Sequence, residues 1–301
     1  MSDVVVDQLP PDEAFALISH ETRFRILEEL NEADEPLAFA RLRERVGMRD
    51  TGQFNYHLGK LTDRFVRKVE DDDGSAGRYK LTAAGKRVVG GVLSGGLTKT
   101  IDGETVPVGS GCLFCGEEME LAFETDRIRV QCPECGEMFT DIEVPAGVME
   151  GHAREDAPAV VDRWLKRYIH IDEFGFCGTC DGPLSRRVLS SGDPDPPDWL
   201  TEDDGWEVAV RNECERCGDS SYSDLGAALL SHPAIVAFHH DHGIDVRETP
   251  LWEHDWLSTK TADVVEEDPL RVELSFSLDD ERLVLVVDRG LTVVEEHREA
   301  V

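Results

Sequence analysis

The stretch Asp50–Leu61, DTGQFNYHLGKL, decides how the first third of this chain is read. Phe54, Leu58 and Leu61 recur at the i, i+4, i+7 spacing of a helix with one buried side, which leaves Gln53, Asn55, Tyr56 and Lys60 on its other faces. Just upstream, AFARLRERVG predicts another helix that ends at Gly47, a natural C-cap. Further back, PPDEAFALISHETRFRILEELNEADEPLAF reads as two short helices and a turn at Pro36. Phe15, Leu17 and Ile18 lie on the first, and Phe24, Ile26, Leu27 and Leu30 form an apolar stripe on the second. Downstream, Phe65–Glu70 predicts a strand, DDDGSAG a turn and Arg78–Leu81 the return strand. Thr82 then caps a closing helix through Leu93.

Helix, short turn and helix followed by a two-stranded wing resembles a winged helix-turn-helix of the ArsR type. The likeness rests on ISHETRFRILEEL, FNYHLGKL and the wing. The resemblance implies that the Asp50–Leu61 helix lies in a DNA major groove, with Gln53, Asn55 and Tyr56 toward base edges, Thr51 beside them, and Arg49 or Lys60 toward phosphates. It also implies that Arg67, Lys68, Arg78 and Lys80 on the wing approach flanking phosphates or the minor groove. Asp71, Asp72 and Asp73 depart from that pattern, because they repel phosphate at the wing tip unless the wing is held off the DNA. His57 falls between core and exposed positions and is expected to be structural. The competing reading of the whole face is a solvated helix on a protein-binding module. Metal sensing of the ArsR kind is not implied, since residues 1–97 contain no cysteine.

Charge separates this segment from the rest. The chain carries 31 basic and 63 acidic residues, net −32, far beyond the magnitude of about 2 to 8 that keeps a small domain soluble. With 40% hydrophobic residues in periodic blocks, the composition argues for a folded protein with an acidic surface, which resembles the proteins of extreme halophiles. In molar salt the Debye length falls to about 3 Å, so such a surface repels itself little. Residues 1–97 hold 14 basic and 17 acidic residues, net −3, whereas residues 98–301 hold 17 and 46, net −29. Within residues 41–87 the balance is 12 basic to 7 acidic, net +5, so this segment is the one suited to an anionic partner. No run of about 18 apolar residues exists to span a membrane, and the N-terminus lacks the basic start of a signal peptide, so a cytoplasmic protein is expected.

All eight cysteines fall in C-x-x-C pairs: Cys112/Cys115, Cys132/Cys135, Cys177/Cys180 and Cys214/Cys217. In a cytoplasmic protein such pairs favour metal over disulfides, and two pairs make one tetrahedral thiolate site, so two structural Zn2+ ions are expected. Between the first two pairs EEMELAFETDRIRV alternates as a hairpin and EMFTDIEV supplies a third strand, the layout of a zinc ribbon. Between the last two, PLSRRVL and WEVAVRNEC flank the acidic loop SSGDPDPPDWLTEDDGW, a ribbon with an insertion. Iron–sulfur ligation by the same ligands stays open. Thioredoxin-like chemistry fits less well, since it needs one such pair at a helix start.

The remaining sequence predicts an amphipathic helix in REDAPAVVDRWLKRYIHIDEFGF, with Val161, Trp164, Leu165 and Tyr168 on one face. Helical segments broken near Pro233 follow, and then three antiparallel strands in RVELSFSLDDERLVLVVDRGLTVVEEHRE. His239, His240, Asp241 and His242 tempt a metal site, with Trp252, His254 and Trp256 nearby. Adjacent helical residues point apart, so a structural or surface role is expected. No nucleophile motif, phosphate loop or dinucleotide fingerprint is present, and no enzyme is expected.

The sequence therefore predicts an α+β protein in three parts: a winged helix-turn-helix over 1–97, a zinc ribbon over 98–150, and an α+β domain over 151–301 holding a second, inserted ribbon. The expected function is sequence-specific transcriptional regulation on double-stranded DNA, as a homodimer built on the first and closing N-terminal helices, with a sensing or partner-binding C-terminal part. Two alternatives stand beside it. A winged helix followed by a zinc ribbon also resembles the archaeal relatives of the large TFIIE subunit, basal adaptors that engage the transcription machinery. A zinc-ribbon scaffold for protein partners or RNA is the other, although the acidity of residues 98–301 argues against RNA.

Overall fold

The computed structural model describes residues 9–69, 77–125, 127–194, 196–200, 207–258 and 262–301. The chain divides into two units, Met1–Thr100 with Pro145–Gly147, and Ile101–Val144 with Val148–Val301. Both helices and strands contribute, so the fold class is mixed α+β.

In the first unit five helices surround a small sheet: α1 (Pro11–Ile18), α2 (Glu21–Asn31), β1 (Leu37–Ala38), α3 (Phe39–Val46), α4 (Thr51–Leu61), β2 (Val66–Val69), β3 (Arg78–Leu81) and α5 (Ala83–Leu93). Local chemistry sets the helix ends. His20 Nδ1 accepts from Thr22 N at the start of α2, Asp50 Oδ1 accepts from Gln53 N at 2.9 Å for α4, and Thr82 Oγ1 accepts from Gly85 N for α5. Gly47, at φ 76°, closes α3 in the left-handed conformation and lets the chain turn within four residues into α4. One stripe from each helix meets in a common core of Ile26, Leu27, Leu42, Phe54, Leu58 and Leu61, closed below by Phe65, Val66 and Leu81. Gly85 is required by packing, because a Cβ there would stand 2.2 Å from the Phe65 carbonyl oxygen.

The sheet order is β1-β3-β2, antiparallel, with Leu37 opposite Tyr79 and Arg67 opposite Lys80. Strand β1 was not foreseen, since two residues are too few to carry a periodic signal. The turn residues Asp71–Asp73, expected at the hairpin tip, lie outside the described residues. Beneath the surface Glu29, 5% exposed, accepts from Arg25 Nη2 and Arg45 Nε, each at 2.7 Å, which ties α2 to α3 through a satisfied buried carboxylate.

Among its described residues the second unit holds three antiparallel sheets. The first, ordered β4-β5-β6-β7, joins β4 (Gly103–Gly111), β5 (Glu118–Glu124), β6 (Arg127–Gln131) and β7 (Met138–Glu143). The sequence predicted only the last three strands. In β4, Pro107 and the register shifts around it break the alternation that marks the others. Helix α6 (Ala157–Glu173) follows, burying Val161 and Leu165 and half-burying Trp164 and Tyr168. The second sheet, β10-β9-β8, is made of β8 (Leu184–Ser190), β9 (Val208–Cys214) and β10 (Ser220–Ser223). Short helices α7 (Leu225–Ala228), α8 (Pro233–Asp241) and α9 (Asp255–Ser258) lead to the third sheet: β11 (Ala262–Glu267), β12 (Leu270–Leu278), β13 (Glu281–Asp288) and β14 (Val293–Ala300), in that spatial order. This sheet has four strands where the sequence predicted three. Acidic Asp263, Glu266 and Glu267 hide the pattern of β11, which pairs through its backbone with β12. Alternate residues Val272, Leu274 and Phe276 of β12 and Leu283, Leu285 and Val287 of β13 are buried on the sheet's inner face. Among the described residues no helix is long and apolar enough to cross a membrane.

Candidate metal centres and a cationic helix face

Each C-x-x-C pair sits at the tip of a hairpin in the same tight turn. The first cysteine's carbonyl accepts from the residue after the second cysteine: Gly116 N to Cys112 O, Gly136 N to Cys132 O, Asp181 N to Cys177 O and Gly218 N to Cys214 O, at 2.8–3.1 Å. That acceptor turn needs a left-handed residue, and Gly116, Gly136 and Gly218 supply it at φ 76–80°. The third turn uses Asp181 at φ 52° instead, which Asp tolerates better than most residues.

The turns gather the sulfurs into two clusters, Cys112, Cys115, Cys132 and Cys135 in the first and Cys177, Cys180, Cys214 and Cys217 in the second. Within each, all four Sγ atoms lie within 4.8 Å of one another. The closest contacts are 3.4 Å for Cys115–Cys132, 3.7 Å for Cys112–Cys135, 3.5 Å for Cys180–Cys214 and 3.8 Å for Cys177–Cys217. A tetrahedron of thiolates at about 2.3 Å from zinc has S–S edges of about 3.8 Å. A disulfide requires about 2.05 Å. The arrangement therefore fits a four-thiolate metal site twice over, and every cysteine is a free thiol.

The turns also prepare the ligand charge. Backbone N–H groups aimed at Cys132, from Cys135 first and Glu134 next, lower its thiol to about 7. The amide of Cys217 does the same for Cys214, lowering it to about 6. Burial pushes Cys180 up to about 12, helped by the neighbouring thiols Cys217 and Cys214. Four sulfurs this close cannot all ionise without a cation between them, so each cluster could hold one metal ion as its thiols ionise. Around the second cluster Asp219 accepts from Thr179 Oγ1 at 2.7 Å and stands 3.8 Å from Cys177 Sγ. Gly178 within the CGTC turn leaves room for Tyr168, whose ring carbon would otherwise stand 2.9 Å from a Cβ.

In the first unit, the core stripe Phe54, Leu58 and Leu61 turns the opposite side of α4 to solvent. Tyr56, 61% exposed, stands outermost, flanked by Gly52 and Gly59, with the Lys60 ammonium 5.7 Å over its ring. Asn55 and Gln53 are both exposed but lie about 160° apart around the helix, on opposite flanks of Tyr56. Arg49 is exposed, whereas Thr51 Oγ1 accepts from Arg43 Nη1 and anchors the inter-helix turn. In the β2–β3 hairpin the register places Arg67, Lys80 and Arg78 on one face and Lys68 on the other, beside Tyr79. The hairpin thus brings together three of its four cations. Arg78 is shared with Glu35 at 3.7 Å.

His57 sits half-buried at the edge of this face. Its ring meets His20 at 4.3 Å between centroids and Tyr56 at 5.3 Å, and its Nδ1 is a buried atom with no hydrogen-bond partner. The expected satisfied histidine is therefore packed but not satisfied.

The FHHDHG segment places its members apart. His239 is 1% exposed and its Nδ1 donates to Ile235 O at 2.8 Å, among Trp256, His254 and Phe276. Asp241 pairs with Arg298 at 2.7 Å, and His242 bonds Phe238 O. Among the described residues only the two cysteine clusters bring metal-ligating side chains together in a group of three or more.

A family model described as a domain of unknown function (DUF7351) matches residues 109–293, and a second such model (DUF7347) matches residues 11–92. No curated protein matches the chain. No solved structure matches it either.

Proposed function

Because the chain belongs to the DUF7351 family, whose description states no activity, we propose from the chemistry of its own residues that it is a DNA-binding transcriptional regulator. The observation that carries this reading is α4. It is an exposed helix whose outer face offers Tyr56, Asn55, Gln53 and Lys60, beside Arg49 and the Arg67/Arg78/Lys80 face of the hairpin, in the one segment of an acidic chain with a basic balance.

On this reading the first unit is an ArsR-like winged helix-turn-helix, with α3 and α4 as its helix pair and β2–β3 as its wing. Asn55 and Gln53 read base edges from either flank, while Lys60, Arg49 and the wing cations set register on phosphates. The exposed Phe15 of α1 and Leu93 of α5 support a homodimer, which would read two half-sites. The cysteine clusters are zinc ribbons holding one structural Zn2+ each. Closed four-thiolate zinc has no open position for substrate, so on this reading neither cluster is catalytic.

A second reading, a basal-transcription adaptor, draws support from a different place. Leu113 and Phe114 of the CLFC turn and Met138 of β7 are exposed, and line a shallow apolar groove with Met119, Phe139 and Trp252 that suits a protein partner.

Chromosomal occupancy of the tagged protein in a halophilic host, measured by crosslinking and sequencing, tests the two. Discrete sites sharing a palindromic motif, lost in Asn55→Ala and Lys60→Ala, support the site-specific regulator. Occupancy that follows active promoters and survives both substitutions supports the adaptor.

A further inference from the structure

Three nitrogen-bearing side chains converge where the start of α2 meets the flank of α4. His20 caps α2, Arg23 lies one turn into it, and His57 faces them from α4. Arg23 Nε and His57 Nδ1 are both buried atoms with no hydrogen-bond partner among the described residues. A buried guanidinium N–H without an acceptor is unfavourable, so a ligand that brings an acceptor oxygen to it is held there. The charges bearing on His57 are His20 and Arg23, and both hold its proton affinity below the ordinary histidine value, burial being the larger cause. Arg23 is the fixed cation of the group, and its buried Nε–H and the His57 Nδ1 beside it both lack a partner among the described residues, as a site for an anion would leave them.

The neighbourhood fits one. Along α4, Gln53 lies one turn before His57 and Lys60 one turn after it, so the same flank presents an amide donor, an imidazole and an ammonium in a row. Arginine paired with histidine and flanked by lysine suits the several oxygens and diffuse charge of a phosphate group better than a single carboxylate.

We propose that His20, Arg23 and His57 form a phosphate-binding notch between α2 and α4, and that it seats a backbone phosphate of the nucleic acid beside the Gln53 flank of the helix. This rests on the DNA-binding reading for the source of the phosphate, but not for the site. The phosphate supplies the acceptor oxygen that the Arg23 Nε–H lacks, and its negative charge favours protonation of His57, whose Nδ1 then donates to a second oxygen. His57 thereby becomes a positioning residue that fixes how deeply α4 is set, leaving Asn55 and Tyr56 to face the bases.

The test uses the full chain with its histidine rings labelled with 15N, in molar KCl. Inorganic phosphate and then a 20-base-pair duplex are titrated while the His57 ring nitrogens are followed by NMR. The wild type is compared with Arg23→Gln and His57→Gln, and Arg23→Lys serves as a charge-retaining control should Arg23→Gln fail to fold. The expected result is a saturable shift of His57 toward the protonated ring on adding duplex, absent in Arg23→Gln. The slope of log affinity against log salt should also fall by about one in Arg23→Gln, as for one lost phosphate contact. A response to inorganic phosphate without any duplex binding would support the notch as a site for a free phosphate ester while removing the DNA reading. Duplex binding of unchanged affinity and slope in Arg23→Gln and His57→Gln would overturn the notch and leave the DNA reading intact. Absence of any His57 response to both ligands would overturn it outright.

Discussion

Cys115 and Cys132 stand 17 positions apart in the chain, yet their sulfurs lie 3.4 Å apart. The two belong to different turns, so the contact measures how far β5 and β6 bring the hairpin tips together. With the second cluster arranged in the same way, the geometry has room for one ion at each of two sites. Full-length protein purified without chelator should carry two zinc ions per chain by elemental analysis, and Cys132→Ser should carry one. Because a small tetracysteine module draws its stability from the metal, chelation should abolish its cooperative unfolding transition. Two zinc ions retained in Cys132→Ser would refute the ligand assignment.

Lys166 and Asp162, one turn apart on α6 and both buried, form a second decisive pair. Lys166 Nζ donates to Asp162 Oδ2 at 2.8 Å, Arg247 O at 2.9 Å and Thr249 O at 2.7 Å, while Asp162 Oδ1 accepts from Leu251 N at 2.8 Å. Every polar atom of the pair is used to hold the 247–251 segment on α6. Lys166→Met should cost about 3–5 kcal/mol in denaturant unfolding, because it strands a buried carboxylate. Lys166→Met combined with Asp162→Asn should cost less than Lys166→Met alone, since no buried charge is then left. A double variant no more stable than the single one would show that the hydrogen bonds, not the charge balance, dominate.

Acid should weaken the second unit through its histidines. Burial first, then His239 and Lys166, lowers His254 to about 4, and burial lowers His239 as well. A histidine depressed in the folded state favours the neutral ring. Its contribution is intact above the unfolded value near 6.5 and is lost as pH falls toward 4. For His254 alone the loss is about 3 kcal/mol. Urea unfolding at pH 7, 5.5 and 4.5 should show the decline, and His254→Phe should flatten it relative to wild type. Parallel pH curves for the two proteins would exclude His254 as the cause.

Gly59 lies on the solvent side of α4 with nothing within 4 Å of where a Cβ would stand. The fold does not need a glycine there, and a helix interior favours alanine by about 1 kcal/mol. Gly59→Ala should therefore raise the melting temperature of the first unit by several degrees. If α4 approaches DNA closely on this face, the same substitution should weaken duplex binding by tenfold or more in a mobility-shift titration. Higher stability with undiminished affinity would mean that the nucleic acid does not meet α4 at Gly59.

What the sequence by itself determined was everything carried by local spacing. The i, i+4, i+7 stripe of α4, the caps at Thr82 and Gly47, and the four C-x-x-C pairs each place their own residues without reference to distant parts of the chain. Periodicity failed where an element is short or its alternation is broken: β1 has two residues, β4 is interrupted at Pro107, and β11 exposes Val265 among acidic Asp263, Glu266 and Glu267. The tertiary structure alone decided the relations between elements. That Arg67 shares a face with Lys80 and Arg78 follows from the register of β2 on β3, and that His57 meets His20 and Arg23 follows from how α2 packs beside α4. Neither is written in any window of sequence, because burial and charge proximity depend on which surfaces the core brings together.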